Sequence, residues 1–138
     1  MSKPSHPDTT LTPGTALIIV GPQGSGKTLH AHKIAAAHGA YTEGAIDDLF
    51  THAGLHSLLA SEPASVVIEG FPDTHKGVAR LKQLVTMKSI EIRRTYSAQP
   101  EHIRAPNFIF CSDDIDVAKR LVDSRNFAVV QLQGRGAA

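Results

Sequence analysis

The sequence predicts an α/β fold: a three-layer sandwich with a five-stranded, mostly parallel sheet and helices on both faces. Three observations predict it. Short apolar runs alternate with helical patterns along the chain, the signature of strands connected by crossing helices. Three of those runs lack polar alternation, as strands covered on both faces do. A Gly-rich turn joins the first run to the first helical pattern.

The strands are expected at 15–20 (TALIIV), 40–46, 65–69 (SVVIE), 107–111 (NFIFC) and 127–132 (FAVVQL). Between them fall four helical patterns. Residues 27–38 are Ala-rich and follow the Gly-rich turn. Asp47 or Asp48 is placed to cap a helix running to Ala60. Residues 74–87 set Val78, Leu81, Leu84 and Val85 on one face. Asp113 or Asp114 is placed to cap a helix carrying Val117, Leu121 and Val122. Residues 88–106 break the alternation. SIEIRRT (89–95) alternates apolar and charged residues, and His102–Ile103–Arg104 is its partner strand across a turn, giving an inserted β-hairpin. Residues 1–14 and 133–138 read as loose tails flanking one domain at 15–132.

Composition sets the limits. The 138 residues allow one domain, and the 41% apolar fraction with 11 glycines is that of a globular chain. A single cysteine, Cys111, excludes an internal disulfide framework and points to a reducing, cytoplasmic setting. At the end of an apolar strand it reads as a small buried hydrophobe. No apolar run reaches the roughly 20 residues of a membrane span. The net charge of +1 conceals an asymmetry. No Lys or Arg lies between Lys33 and Lys76, whereas Lys76, Arg80, Lys82, Lys88, Arg93, Arg94 and Arg104 cluster in the next segment. That segment is either a solvated face or a patch for phosphate backbone or an acidic neighbour.

The Gly-rich turn carries the chemistry. Gly21-Pro22-Gln23-Gly24-Ser25-Gly26-Lys27-Thr28 matches G-x-x-x-x-G-K-[ST] in full, between a strand and a helix, with Leu29 next on the helix. Glycines let the backbone curl so that its N–H groups meet phosphate oxygens, and the helix adds its positive end. Lys27 supplies a point charge for the β and γ phosphates, and the Thr28 hydroxyl is a ligand for Mg²⁺. The loop thus points to a nucleotide, and the expected ligand is ATP or another purine triphosphate with Mg²⁺. Glu69 ends an apolar strand, where such a site places the acid on the metal side. Asp113 follows the fourth strand, beside the expected γ-phosphate, where it serves as a sensor or as a plain helix cap. Arg125, before the last strand, is placed to touch phosphate in cis or from a neighbouring copy. His30, His32, His52 and His56 lack a third metal ligand and read as surface histidines.

Across 81–130 the sequence resembles the ATPase core of superfamily 3 helicases and their small phage and mobile-element relatives. The resemblance rests on RLKQLVTMKSIEIRRTY (80–96), APNFIFCSDD (105–114) and DSRNFAVV (123–130). It implies a P-loop NTPase in which Lys27 and Thr28 hold phosphate and Mg²⁺ and Glu69 is the metal-side acid. Asp113 then takes the sensor place and Arg125 the finger place, the latter calling for a homo-oligomer. Arg93 and Arg94 lie on the hairpin that would face single-stranded DNA, and Tyr96 beside them is placed to stack on a base or to pack within the hairpin. Three positions depart from that pattern: Gly70 replaces the catalytic Glu, Asp113 replaces Asn, and Asn126 sits inside the Arg turn. A second resemblance, to nucleotide kinases of the adenylate kinase type, rests on GPQGSGKT (21–28), EGFPDT (69–74) and FIFCSDDIDVAKRLVDSR (108–125). Strand order separates the two. The ATPase arrangement puts strand 107–111 between the phosphate-loop strand and the Glu69 strand, and the kinase arrangement makes those two direct neighbours. A nucleotide-binding switch without hydrolysis is the remaining alternative.

Overall fold

The computed structural model describes residues 14–92, 99–114, 116 and 126–132. Its elements, in chain order, are β1 (Ala16–Val20), α1 (Lys27–Ala37), β2 (Tyr41–Ala45), a 3-10 turn (Ile46–Phe50), α2 (His52–Leu59), β3 (Ser65–Glu69), α3 (His75–Thr86), β4 (Ser89–Ile92), β5 (Glu101–Arg104), β6 (Asn107–Ser112) and β7 (Phe127–Gln131). Five strands form one sheet in the order β2-β3-β6-β1-β7, and every pairing is parallel. β6 therefore separates β1 from β3. This is the ATPase arrangement, and the kinase arrangement is excluded.

Side-chain alternation along each strand builds the three layers. Ile18, Val20, Val66, Ile68, Phe108, Phe110 and Phe127 point to one face, where Leu58 and Leu59 of α2 and Val78, Leu81 and Val85 of α3 cover them. Leu17, Ile19, Val67, Ile109 and Cys111 point to the other, under Ala31, Ile34 and Ala35 of α1. The small side chains of α1 let that helix lie close on the sheet. β1 is buried along its whole length, which is why its sequence shows no polar alternation. β4 and β5 pair antiparallel, Ser89 opposite Arg104 and Ile92 opposite Glu101, as a separate two-stranded sheet. Its inner residues Ile90, Ile92 and Ile103 join the α2/α3 core, while Ser89 and Glu91 are exposed, so the hairpin expected from the sequence is present.

One helix start differs from expectation. Neither Asp47 nor Asp48 caps α2. Both lie in the 3-10 turn, where the Asp48 carboxylate accepts from the Ala45 amide at 2.9 Å. The chain then becomes extended at Thr51, whose hydroxyl accepts from the Gly54 amide at 3.0 Å and starts the helix. A Cβ at Gly54 would lie 2.5 Å from the Asp48 carbonyl oxygen, so the two turns fold tightly onto each other. The capped helix expected after Asp114 lies outside the described residues, as do the tails at 1–13 and 133–138. Thr74 caps α3 in the same manner as Thr51 caps α2, its hydroxyl accepting from the Gly77 amide at 3.0 Å. Thr74→Ala is expected to lower stability by about 1 kcal/mol, read as an earlier midpoint in urea.

Candidate nucleotide site

The site forms where β1, β3 and β6 end together. After β1 the chain turns through Gly21–Gly26, with the Ser25 amide donating to the Pro22 carbonyl at 3.1 Å. Gly24 and Gly26 have φ of 82° and 84°, a region that side chains rarely adopt. Gly21 lacks room for a Cβ, since that atom would lie 2.6 Å from Ser25 Oγ. The turn delivers the chain into α1 at Gly26, which has no side chain to cap the helix. The leading N–H groups of α1 thus have no side-chain acceptor at the N-cap position. The Ser25 hydroxyl is buried in the same turn without a hydrogen-bond partner among the described residues. Unpartnered donors at a helix start suit a polyanion.

α1 then crosses β6 to reach β3. Thr28, in its first turn, donates from Oγ1 to Glu69 Oε2 at 2.8 Å, joining residues 41 apart in sequence. One turn on, His32 Nε2 meets Glu43 Oε2 of β2 at 2.9 Å, and the His32 ring lies 5.5 Å from Tyr41. The strand ends are tied to each other as well. The Gly21 amide donates to the Ser112 carbonyl at 3.1 Å and the Gly70 amide to the Cys111 carbonyl at 2.7 Å.

A cleft of about 470 Å³ opens above these ends, lined by Gln23, Lys27, Glu69, Gly70, Phe71, Asp73, Cys111, Ser112, Asp113 and Asp114. Its size is that of a small-molecule site. Among the described residues of this lining Lys27 is the one cation, beside the four carboxylates of Glu69, Asp73, Asp113 and Asp114. A hydroxyl and a carboxylate in contact, both oxygen donors, fit a hard divalent cation such as Mg²⁺. A larger cleft, of about 810 Å³, lies at the opposite end of the strands, lined by His38, Met87, Lys88, Arg104 and Asn107 among others, and touches none of these residues.

The structure thus brings Lys27, Thr28, Glu69 and Asp113 to one place. Pro22 and Gln23 lie in the turn, and Leu29 follows Thr28 on α1 with its side chain 60% exposed, outside the cleft lining. Arg93, Arg94, Tyr96 and Arg125 lie outside the described residues. The sequence reading passed over Phe71 and the His32–Glu43 pair. The i, i+4 spacing of Thr28 and His32 was the available signal for the latter. Cys111 is buried, with its Sγ 3.9 Å from the Lys27 carbonyl oxygen. Burial, then the neighbouring Glu69, pushes the thiol up to about 12. A thiol-reactive dye at pH 8 is therefore expected to label Cys111 only on unfolding; rapid labelling of native protein would contradict this burial.

No family model matches the sequence, and no curated protein matches it. Solved structures do match its fold. The A-form apo structure of the NrS-1 C-terminal region is similar over 87% of this chain, at a TM-score of 0.59 and 20% identity. A second apo structure of that region, residues 305–718, is similar over 88%, at 0.52 and 25% identity. JCV helicase, with a thiazolopyridinyl-phenoxyphenyl acetamide bound, is similar over 89%, at 0.55 and 16% identity. This chain spans only 29%, 28% and 37% of those chains. The fold is shared with a helicase. Among the described residues no helix is long and apolar enough to cross a membrane.

Proposed function

We propose that this chain is a Mg²⁺-dependent ATPase of the superfamily 3 helicase type, acting with nucleic acid in the cytoplasm in a phage or mobile-element setting. The observation that carries the reading is the Thr28–Glu69 contact at the mouth of the phosphate loop. It joins the two residues that would hold the metal. The strand order and the likeness to JCV helicase agree with it.

In this reading the turn at Gly21–Gly26 wraps the phosphates with its amides, and Lys27 sits against the β and γ oxygens. Thr28 and Glu69 would hold Mg²⁺, which neutralises charge on the phosphates when bound. Asp113 stands beside the γ-phosphate as the sensor. The reaction is in-line attack of water on the γ-phosphorus. Arg125 would reach a neighbouring copy's phosphate, so the active form is a homo-oligomer. The β4/β5 hairpin carries Lys88 and Arg104 at its base, and with Arg93 and Arg94 it would follow the backbone of single-stranded DNA.

Phosphate release measured with and without single-stranded DNA tests the reading. Turnover raised by DNA, together with DNA binding that weakens as salt rises, is the expected result. DNA binding equal at low and high salt would overturn the nucleic-acid half. Gly70 favours a second reading, a nucleotide switch, because the residue after Glu69 offers no carboxylate. ATP bound with no phosphate released would establish that one instead.

A further inference from the structure

We infer that Asp73 is the carboxylate that takes the proton of the attacking water; the inference rests on the ATPase reading. Such a reaction needs a base near the γ-phosphate, separate from the acid that holds the metal. Glu69 is committed elsewhere, because its Oε2 already accepts from Thr28. Gly70 has no side chain, and its φ of 104° with its amide bound to Cys111 fixes a backbone that other residues rarely adopt. The first carboxylate on the exit from β3 is Asp73. It lines the same cleft as Lys27 and Glu69 and is exposed, so water reaches it.

What distinguishes Asp73 is how it is mounted. Phe71, two residues before it, packs edge-on against Phe110 at 5.6 Å and Phe127 at 5.9 Å. Pro72 lies so close to α3 that a Cβ on Gly77 would be 2.7 Å from Pro72 Cβ. Thr74, just after, caps α3. Asp73 is thus held between an aromatic anchor and a helix start, and rigid mounting is what a proton-accepting group requires. Asp113 and Asp114 also line the cleft but enter it from β6, and the Asp114 amide is engaged by Ser112 Oγ at 3.1 Å.

The water oxygen bonds to the γ-phosphorus while the bond from that phosphorus to the β,γ-bridging oxygen breaks. The bridging oxygen keeps the electron pair and leaves as part of ADP. The water proton passes to Asp73 and then to solvent, so one turnover gives ADP, phosphate and a proton.

The test compares Asp73→Asn and Asp73→Glu in the full chain. Three quantities are read: phosphate release, equilibrium binding of a fluorescent ATP analogue, and melting temperature. Asp73→Asn is expected to lower kcat by about 100-fold or more, with analogue affinity within about twofold and melting unchanged. Asp73→Glu is expected to recover part of the rate, which a merely structural role would not do. The inference is overturned by Asp73→Asn turning over at the wild-type rate, or by loss of analogue binding along with turnover. Wild-type protein that binds the analogue without releasing phosphate would overturn the ATPase reading itself, and this inference with it.

Discussion

Glu69→Gln is expected to lower ATP turnover by about 100-fold or more and to raise the Mg²⁺ concentration needed for the remaining rate. The change keeps the shape of the side chain and removes its charge. Glu69 is exposed at the end of β3, so the fold has little to lose. Its contact with Thr28 is the one place where α1 and β3 present two oxygen donors to the same point. A neutral amide there holds a divalent cation weakly, because hard cations favour carboxylate oxygen. Thr28→Ala is expected to act in the same direction. The double variant should be little worse than Glu69→Gln alone, since both residues would serve one ion. Turnover of Glu69→Gln within twofold of wild type, at the same Mg²⁺ requirement, would refute this assignment.

Phe110→Ala is the substitution expected to cost most stability, about 3–5 kcal/mol. Phe110 is fully buried in β6, the strand at the centre of the sheet. Its ring stacks beside Phe108, at 6.3 Å, and receives the edge of Phe71 at 5.6 Å. Truncation leaves a void that strands bonded on both sides cannot collapse to fill. A domain of this size holds roughly 5–15 kcal/mol in total, so the variant should melt far below wild type. It should also lose turnover near its melting point, because Phe71 would lose one of its two ring partners and with it the seat of the loop that carries Asp73. A melting temperature within a few degrees of wild type would show that this core repacks.

Much of the architecture was legible because its signals are local. The unalternating runs at β1, β3 and β6 announced strands buried on both faces. The alternation in SIEI announced a hairpin with one wet side, which the exposed Ser89 and Glu91 bear out. The Gly-rich turn between β1 and α1 was legible because its glycines, Lys27 and Thr28 are contiguous. Strand order was not, because two arrangements satisfy the same local pattern. The choice is made by contacts such as Val67 beside Ile109 and Leu17 beside Ile109, distant in sequence. The start of α2 was misread because Asp47 and Asp48 are good caps in isolation. The 3-10 turn claims them first, and the extended Thr51 takes the capping role. The mounting of Asp73 was illegible for a similar reason. It depends on Phe71 meeting Phe127, which lies 56 positions on in the sequence.

Every role proposed above depends on ATP being bound and turned over with Mg²⁺ in the cleft above β1, β3 and β6. Phosphate release by purified wild-type protein and by Lys27→Ala, each with Mg²⁺ and with excess chelator, tests it most directly. Release by wild type with Mg²⁺ is expected, with a fall on the order of a thousandfold on adding chelator or removing the Lys27 ammonium. Equal release by wild type and Lys27→Ala would contradict it, because the activity would then lie outside this cleft.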